Sequence, residues 1–428
     1  MPTLPPWPLP EFVRGYRSRG LAVLLVCGAC ATTSSPALKS AGEIPALTTR
    51  LARDTTDYQT RTSLGVAYLQ VGRADQARPI LERSVERRPN DPVAVLHLGL
   101  SYEALQQYPD ARRLYEHYLK VGRSRELRSD LKRRLVLLER RELEQFARRA
   151  VEEESRLRTA PPRERTVAVF PFQVVSTDAK LRPLGRALAD LLVIDLSQTS
   201  RVTVLERMRV QLLLDELDLS ASGRVDSAQV VRSGRMLSAE RIVQGSLGSQ
   251  AETVQLNAAI VQMPTGRAGT GALSETDALN RIMAAEKRLA LRIYESLGVS
   301  LTVAERERVS RQPTDNLNAI LAYGIGLEAL DAGNYARAAQ QFDEAARLDP
   351  NFTLAKEKAE QTRQTAAAVA TTTTRLVEKA SFEGTQPGST TANVLQQNPF
   401  KRDPVAEVLG NEDVRRKTII ELIFRRPN

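Results

Sequence analysis

The chain has 428 residues, 42% of them hydrophobic and 26% charged, with a formal net charge of +10. This length and composition predict two or three folded domains and exclude a wholly disordered chain. Both cysteines lie within the first 30 residues, which excludes a disulfide-stapled fold and a Cys/His metal set. Aromatic residues make up only 5% of the chain, so platforms for base stacking are sparse and we expect no nucleic-acid partner.

The N-terminus carries the pattern of an export signal. A short apolar run, Leu21 to Val26, follows several arginines and precedes Gly28, Ala29 and Cys30. This run is far shorter than the roughly 20 apolar residues of a membrane-spanning helix, and such a run behind a basic flank is typical of a cleaved secretory signal. The cysteine after Gly28-Ala29 resembles the lipid-attachment cysteine of bacterial lipoproteins, although Cys27 replaces the leucine-like residue usual there.

This resemblance implies that residues 1–29 are a signal peptide and that Cys30 carries a lipid, which makes the membrane a partner. Ala31 stands where an aspartate would favour retention at the inner membrane, so the resemblance implies the periplasmic face of the outer membrane. An ordinary cleaved signal or a short membrane anchor is the alternative. Residues 30–56 are rich in Thr, Ser, Ala and Pro, and we predict that they form a flexible tether.

Residues 57–125 contain an internal repeat. Gly65 and Gly99 lie 34 residues apart in matching Leu-Gly-x-x-Tyr stretches, and 34 residues is the period of tetratricopeptide (TPR) repeats, which are pairs of antiparallel helices. Small residues at Gly65 and Ala77 would let the two helices of a hairpin approach closely, and Pro89 would end the second helix.

Two TPR hairpins predict a groove lined by the first helix of each unit. The groove residues would be Thr62, Val66, Leu69, Leu96, Leu100 and Glu103. We expect this groove to bind a segment of an envelope protein, or else to pack against the charged helical run that follows. That run occupies residues 126–160 and carries an apolar stripe of Leu131, Leu135, Leu138, Phe146 and Val151, which suits a helix that caps the repeats and leads into the next domain.

Residues 163–305 predict a mixed α/β domain. Strands are expected at 166–172, 202–205, 241–247 and 253–262, and helices at 184–197, 208–217, 228–237 and 276–297. Pro171 would end the first strand at a sheet edge. Glu206-Arg207 would mark a strand-to-helix turn, with a catalytic or ligand pair as the alternative.

Several stretches of this domain, in order, carry a family resemblance. They are Val167 to Phe172, Leu184 to Leu192, Val202 to Arg207, Ser222 to Asp226, Gly234 to Leu237 and Ile242 to Ser246. Together they resemble the CsgG family of curli secretion lipoproteins and the TolB N-terminal-like domains. The resemblance implies an α+β multidomain protein in which TPR hairpins flank a CsgG-like domain.

The C-terminal part begins with one more repeat. Residues 313–366 match the TPR pattern at Gly326, Gly333, Phe342 and Pro350. This lone unit needs a neighbour, which could be the α/β domain, the first repeats or another copy of the protein in a homo-oligomer. Residues 367–428 are predicted to be mostly disordered, with a β-prone end at 417–424 that could add to a sheet edge.

The sequence contains no recognisable catalytic motif. No Gly-x-Ser-x-Gly, P-loop or dinucleotide-binding stretch precedes a suitable helix, so we predict a protein that is not an enzyme and has no cofactor. The leading hypothesis is a lipid-anchored scaffold that binds envelope proteins. The alternatives are a subunit of a curli-type outer-membrane secretion channel, for which residues 165–300 leave little spare length, and a lipoprotein regulator of a cell-wall synthase.

Overall fold

The structure is a computed structural model that describes residues 36–218, 227–250, 252–263, 265–268, 272–371, 375–377 and 379–380. In these residues helical regions flank a central sheet domain, which confirms the α+β multidomain class. The predicted signal peptide, Cys30 and the β-prone end at 417–424 lie outside the described residues.

The N-terminal region is a stack of antiparallel helices. They are α1 (Pro36–Arg53), α2 (Tyr58–Gln70), α3 (Ala74–Arg87), α4 (Pro92–Ala104) and α5 (Tyr108–Val121). The predicted close approach within each hairpin is confirmed, because a Cβ on Gly65 would lie 2.6 Å from Leu81 and one on Gly99 would lie 2.7 Å from the Tyr115 ring. Only glycine at these positions lets the facing side chain fill the space.

The tether predicted for residues 30–56 is wrong from Pro36 onward, because that stretch forms α1 and packs on α2. Ile44, Leu47 and Leu51 are half-buried along α1. Their spacing of three and four residues puts them on one helix face. Such a stripe is enough to dock this helix on α2.

A long helix, α6 (Arg125–Glu152), connects the two halves of the molecule and is followed by the single turn α7 (Glu154–Leu157). Its 28 residues span about 42 Å. Leu127, Leu131 and Leu138 belong to the core of the repeats, whereas Ala147 and Ala150 belong to a core of the central domain. One helix therefore contributes to two hydrophobic cores.

The central domain contains a seven-stranded mixed sheet with the order β3-β1-β4-β5-β6, in which β2 also pairs with β4 and β7 with β5. The strands are β1 (Arg163–Val169), β2 (Gln173–Val175), β3 (Thr203–Val204), β4 (Ala239–Gln250), β5 (Thr253–Gln262), β6 (Arg267–Ala268) and β7 (Leu273–Ala278). β1 runs parallel to β3 and β4, and β4 and β5 form a long antiparallel hairpin. Pro171 is therefore not at an edge, because β1 lies inside the sheet and Pro171 separates it from β2, which continues alongside β4.

Helices cover both faces of this sheet. They are α8 (Leu184–Leu196), α9 (Arg207–Glu216), α10 (Ser227–Met236) and α11 (Ile282–Ser296). Val167 and Val169 point to the core shared with α8 and α11, while Ala168 points to the opposite core with α9, α10 and the end of α6. The closing helix predicted from residue 276 begins at Ile282, because Thr276 to Ala278 pair with β5 as part of β7.

The C-terminal helices are α12 (Val303–Ser310), α13 (Leu317–Asp331), α14 (Tyr335–Leu348) and α15 (Thr353–Ala370). Gly333, with φ of 72°, makes the left-handed turn between α13 and α14. This hairpin packs on α8, and α15 packs on α6, so the neighbour of the lone repeat is its own central domain. Tyr323 and Phe342 of the hairpin share a core with Leu188 and Leu192 of α8.

The predicted disorder from residue 367 is wrong at its start. Helix α15 continues to Ala370. Residues 375–377 and 379–380, here named the C-terminal segment, are helical and bury Leu376, Val377 and Ala380.

Candidate functional site

The predicted groove residues lie on the first helix of each N-terminal repeat: Thr62, Val66 and Leu69 on α2, and Leu96, Leu100 and Glu103 on α4. Five of the six are buried and Val66 is half-buried. These residues are therefore covered by other parts of the same chain, and their role in binding a partner stays a prediction. The alternative, burial against the following helix, describes the structure better.

Two other parts of the chain cover this groove. Leu127 and Leu131 of α6 belong to the same hydrophobic core as Leu96 and Leu100. Leu376, Val377 and Ala380 of the C-terminal segment join that core, with exposures of 1%, 5% and 0%. The groove is thus built from α2, α4 and α6, and the C-terminal segment occupies it.

Glu103 is the polar centre of the groove. It forms a buried ion pair with Arg134 of α6, with 2.8 Å between the Arg134 Nε and Glu103 Oε1, and accepts a hydrogen bond of 2.7 Å from the Tyr115 hydroxyl. Burial and the nearby Glu103 carboxylate hold the pKa of Tyr115 well above its usual value. Arg134 also donates to the carbonyl of Thr371 at 2.9 Å, so it ties the repeats to the end of α15.

Lys379 fixes the C-terminal segment electrostatically. Its Nζ lies 2.8 Å from the Asp130 Oδ2 and 2.5 Å from the Glu126 Oε1, both on α6. Hydrogen bonds to these two carboxylates raise the pKa of Lys379. The two carboxylates on α6 and the apolar residues of the groove together suit a segment with a basic residue beside apolar ones.

A second site lies where the C-terminal helices meet the central domain. Arg207, the first residue of α9 and only 7% exposed, forms two hydrogen bonds with Asp331 at the end of α13, at 3.0 and 2.7 Å. Its Nε lies 3.1 Å from the Asp190 Oδ1 on α8. We call this cluster the junction, and it joins α8, α9 and α13 through buried charges.

Asp190 has further partners from the C-terminal helices. It accepts a hydrogen bond of 2.5 Å from the Tyr323 hydroxyl of α13, and Lys358 Nζ of α15 lies 3.4 Å away. Burial opposes the ionisation of Asp190, but Lys358 and Arg207 outweigh that effect and lower its pKa. The carboxylate is therefore charged and fully engaged at neutral pH.

Three arginines from three helices converge on the end of α13. Arg186 of α8 donates to the Asp331 carboxylate at 3.0 Å, beside Arg207, while Arg140 of α6 donates to the backbone carbonyls of Leu330 and Asp331, each at 2.9 Å. Cations suit this position because the last carbonyls of a helix carry partial negative charge. A cleft of about 100 Å³ opens beside them, lined in part by Arg140, Glu206 and Tyr335.

A third charged cluster lies inside the central domain. Lys287 of α11 lies 2.6 Å from the Asp195 Oδ2 of α8 and 3.1 Å from the Glu286 Oε2. Burial and the neighbouring Glu286 hold the pKa of Asp195 well above its usual range. In the described parts of the chain, no group of three or more His, Cys, Asp or Glu side chains is placed to hold a metal ion.

Sequence reasoning found the turn at Glu206-Arg207, and the structure confirms it, since β3 ends at Val204 and α9 begins at Arg207. It missed the role of Arg207, because the partner Asp331 is distant in sequence. Two signals were available. Asp331 is an acidic residue at a helix C-terminus, where its charge is unfavourable unless a cation compensates it. Asp190 stands within the apolar stretch Ala187 to Ile194, which indicates a buried partner.

Three family models match the chain. The model described as "Curli production assembly/transport component CsgG" matches residues 148–258, and two tetratricopeptide repeat models match residues 44–135 and 317–360. The chain thus combines a CsgG-type domain with TPR segments on both sides. No curated protein is significantly similar to the chain. Across the described residues, no helix has the length and apolar character needed to cross a membrane.

Proposed function

We propose that the protein is a lipid-anchored scaffold of the cell envelope and not an enzyme. In this proposal Cys30 carries the lipid and holds the protein at the periplasmic face of the outer membrane. The domain content supports the coarser part, because CsgG and TPR segments together are those of a protein-interaction or secretion-related envelope protein. The lipid anchor and the membrane rest on the sequence around Cys30.

The observation that carries the proposal is the junction. Arg207, Asp331 and Asp190 bury their charges in contacts between the CsgG-type domain and the C-terminal repeat. A buried ion pair is weak evidence for added stability, and in this proposal the junction serves to set the geometry between the two modules. Arg140 of α6 also donates to the end of α13, and α6 itself connects the central domain to the N-terminal repeats. A scaffold that must hold docking modules at fixed positions needs this kind of connection.

The anchor is tested by fractionating cells that express the full chain or its Cys30→Ala variant, with Cys27→Ala as the matched control. We expect the unaltered chain and Cys27→Ala in the outer-membrane fraction and Cys30→Ala in the soluble envelope fraction. Unaltered protein in the cytosol with an intact N-terminus would refute the anchor.

The scaffold role is tested by crosslinking in intact cells, purification and identification of the captured proteins. We expect the same envelope proteins repeatedly with the unaltered chain, and fewer of them with Arg207→Met, which loosens the junction. Capture of no envelope protein would refute the scaffold role. Membrane-embedded rings of the detergent-purified protein in electron micrographs would instead support a secretion channel.

A further inference from the structure

We infer that the C-terminal segment is a built-in ligand of the N-terminal repeats, which a partner segment of the same chemistry displaces. The partner segment would carry two adjacent apolar residues and a lysine two positions after the second of them, as Leu376, Val377 and Lys379 do here. The inference goes beyond the proposed scaffold role, because it assigns a closed and an open state to the groove. It depends on contacts inside this chain and not on the location of the protein.

The first step is that the groove recognises the segment specifically. Ala380 lies four residues after Leu376 and three after Val377, so it adjoins both on a helix surface, and all three are buried in the core that contains the groove residues Leu96 and Leu100. Lys379 reaches Asp130 and Glu126 on the adjacent α6. An apolar face and a charge pair act together, as expected for a helix bound in a groove.

The second step is that the groove does not need the segment in order to form. Its floor is made by α2, α4 and α6, because Leu69, Leu96 and Leu131 belong to one hydrophobic core, and the buried Glu103–Arg134 pair joins α4 to α6. Helix α15 is attached separately, because Arg134 donates to the carbonyls of Ala368 and Thr371, which precede the segment. The segment can therefore leave while both of its neighbours stay in place.

The third step is that the attachment is weak enough to be displaced. It consists of three small or medium apolar side chains and of Lys379, which pairs with Glu126, 72% exposed, and with Asp130, 4% exposed. Asp130 keeps Arg133 as a partner when the segment leaves, and the pair with Glu126 is exposed. Exposed ion pairs contribute little to affinity. A tethered ligand gains from an effective concentration of up to millimolar, so a partner needs either higher intrinsic affinity or a second attachment point.

The experiment measures binding of a fluorescently labelled peptide of residues 372–384 to the full-length protein by anisotropy. The release variant is Leu376→Asp with Val377→Asp, which puts two charges where the groove is apolar. The matched control is Val369→Asp, because Val369 is 46% exposed on α15 and lies outside the segment. We expect the release variant to bind the peptide at least about tenfold more tightly than the unaltered chain or the control, because the tethered competitor is gone.

A milder variant, Lys379→Glu, guards against misfolding, because it alters only the contact with the two carboxylates. We expect a several-fold increase in peptide affinity. Charge reversal tests the specificity of the lysine contact. When Glu126→Lys and Asp130→Lys are added to the release variant, we expect weaker binding of the unaltered peptide and tighter binding of a peptide that carries Lys379→Glu.

Equal peptide binding by the unaltered chain and the release variant would overturn the inference, as would no binding to a release variant whose circular dichroism is unchanged. Either result leaves the fractionation and crosslinking tests of the scaffold role unaffected. Conversely, a cytosolic location would refute the lipid anchor without changing the peptide measurement.

Discussion

Removing the guanidinium of Arg207 should loosen the C-terminal helices from the central domain. Arg207→Met keeps most of the side-chain volume but leaves two buried carboxylates, Asp331 and Asp190, without their shared partner. Breaking a buried pair by removing one member costs about 3–5 kcal/mol. Arg186 still pairs with Asp331, and Lys358 with Asp190, so we expect about 3 kcal/mol, the lower end of that range.

The matched control is Arg232→Met. Arg232 also pairs with a carboxylate through two hydrogen bonds, at 2.9 and 2.7 Å to Glu154, but these side chains are 42% and 34% exposed. An exposed pair contributes less than about 1 kcal/mol. The two variants therefore remove the same kind of contact and differ in burial.

The assay is hydrogen exchange of the amides in α13 together with urea unfolding followed by circular dichroism. Exchange is needed because a protein of several domains need not unfold in one step. We expect faster exchange in α13 for Arg207→Met and unchanged exchange for Arg232→Met. Adding Asp331→Leu to Arg207→Met should recover part of the loss, because it removes one of the uncompensated charges. If Arg207→Met costs no more than Arg232→Met, the junction does not hold the modules together.

Three further outcomes are expected. His97 is fully buried, and burial lowers its pKa from 6.5 to about 4. Between these two pH values the folded state binds fewer protons than the unfolded state, so the free energy of unfolding should fall by about 3 kcal/mol as the pH drops through this window. His97→Asn keeps a donor for the Val93 carbonyl and should remove this pH dependence from a series of urea unfolding curves. Gly324→Ala should lower the melting temperature, because the new Cβ would lie 2.3 Å from the Pro183 carbonyl oxygen. Gly42→Ala should raise the melting temperature slightly, because its Cβ would have no neighbouring atom within 4 Å and alanine favours a helix more than glycine does. A lower melting temperature for Gly42→Ala alone would contradict this prediction. Asp195→Asn should lower the melting temperature less than Lys287→Met. Burial and Glu286 raise the pKa of Asp195 and so weaken the contribution of its charged form, whereas Lys287→Met leaves Glu286 buried without its cation. Equal losses in the two variants would contradict this ranking.

The sequence predicted those parts of the fold that depend on local spacing. The 34-residue period placed the N-terminal hairpins, and Gly65 and Gly99 proved to be the close-approach positions. Alternating apolar residues located β5, and the apolar stretch from Leu184 located α8. These features follow from the periods of helix and strand, which a short window of sequence contains.

The missed features depend on pairing between distant residues. Lys379 pairs with Asp130 and Arg207 pairs with Asp331, although the members of each pair lie far apart in sequence. The spacing of neighbouring residues therefore predicts neither pair. The Thr- and Ala-rich surroundings of Leu376 and Val377 resemble a disordered tail, although two adjacent apolar residues suffice once a groove is present. Leu69, Leu96 and Leu100 share one core with the C-terminal segment, but the sequence around these groove residues contains no sign of the segment that covers them.

Helix α6 explains how the groove could open without disturbing the junction. Arg134 holds the end of α15, and Arg140 holds the end of α13. The two residues are six positions apart on one helix, about 9 Å along its axis. Both contacts precede the C-terminal segment, so its departure breaks neither. Peptide binding to the release variant should therefore leave hydrogen exchange in α13 unchanged, and faster exchange there would mean that groove and junction are coupled.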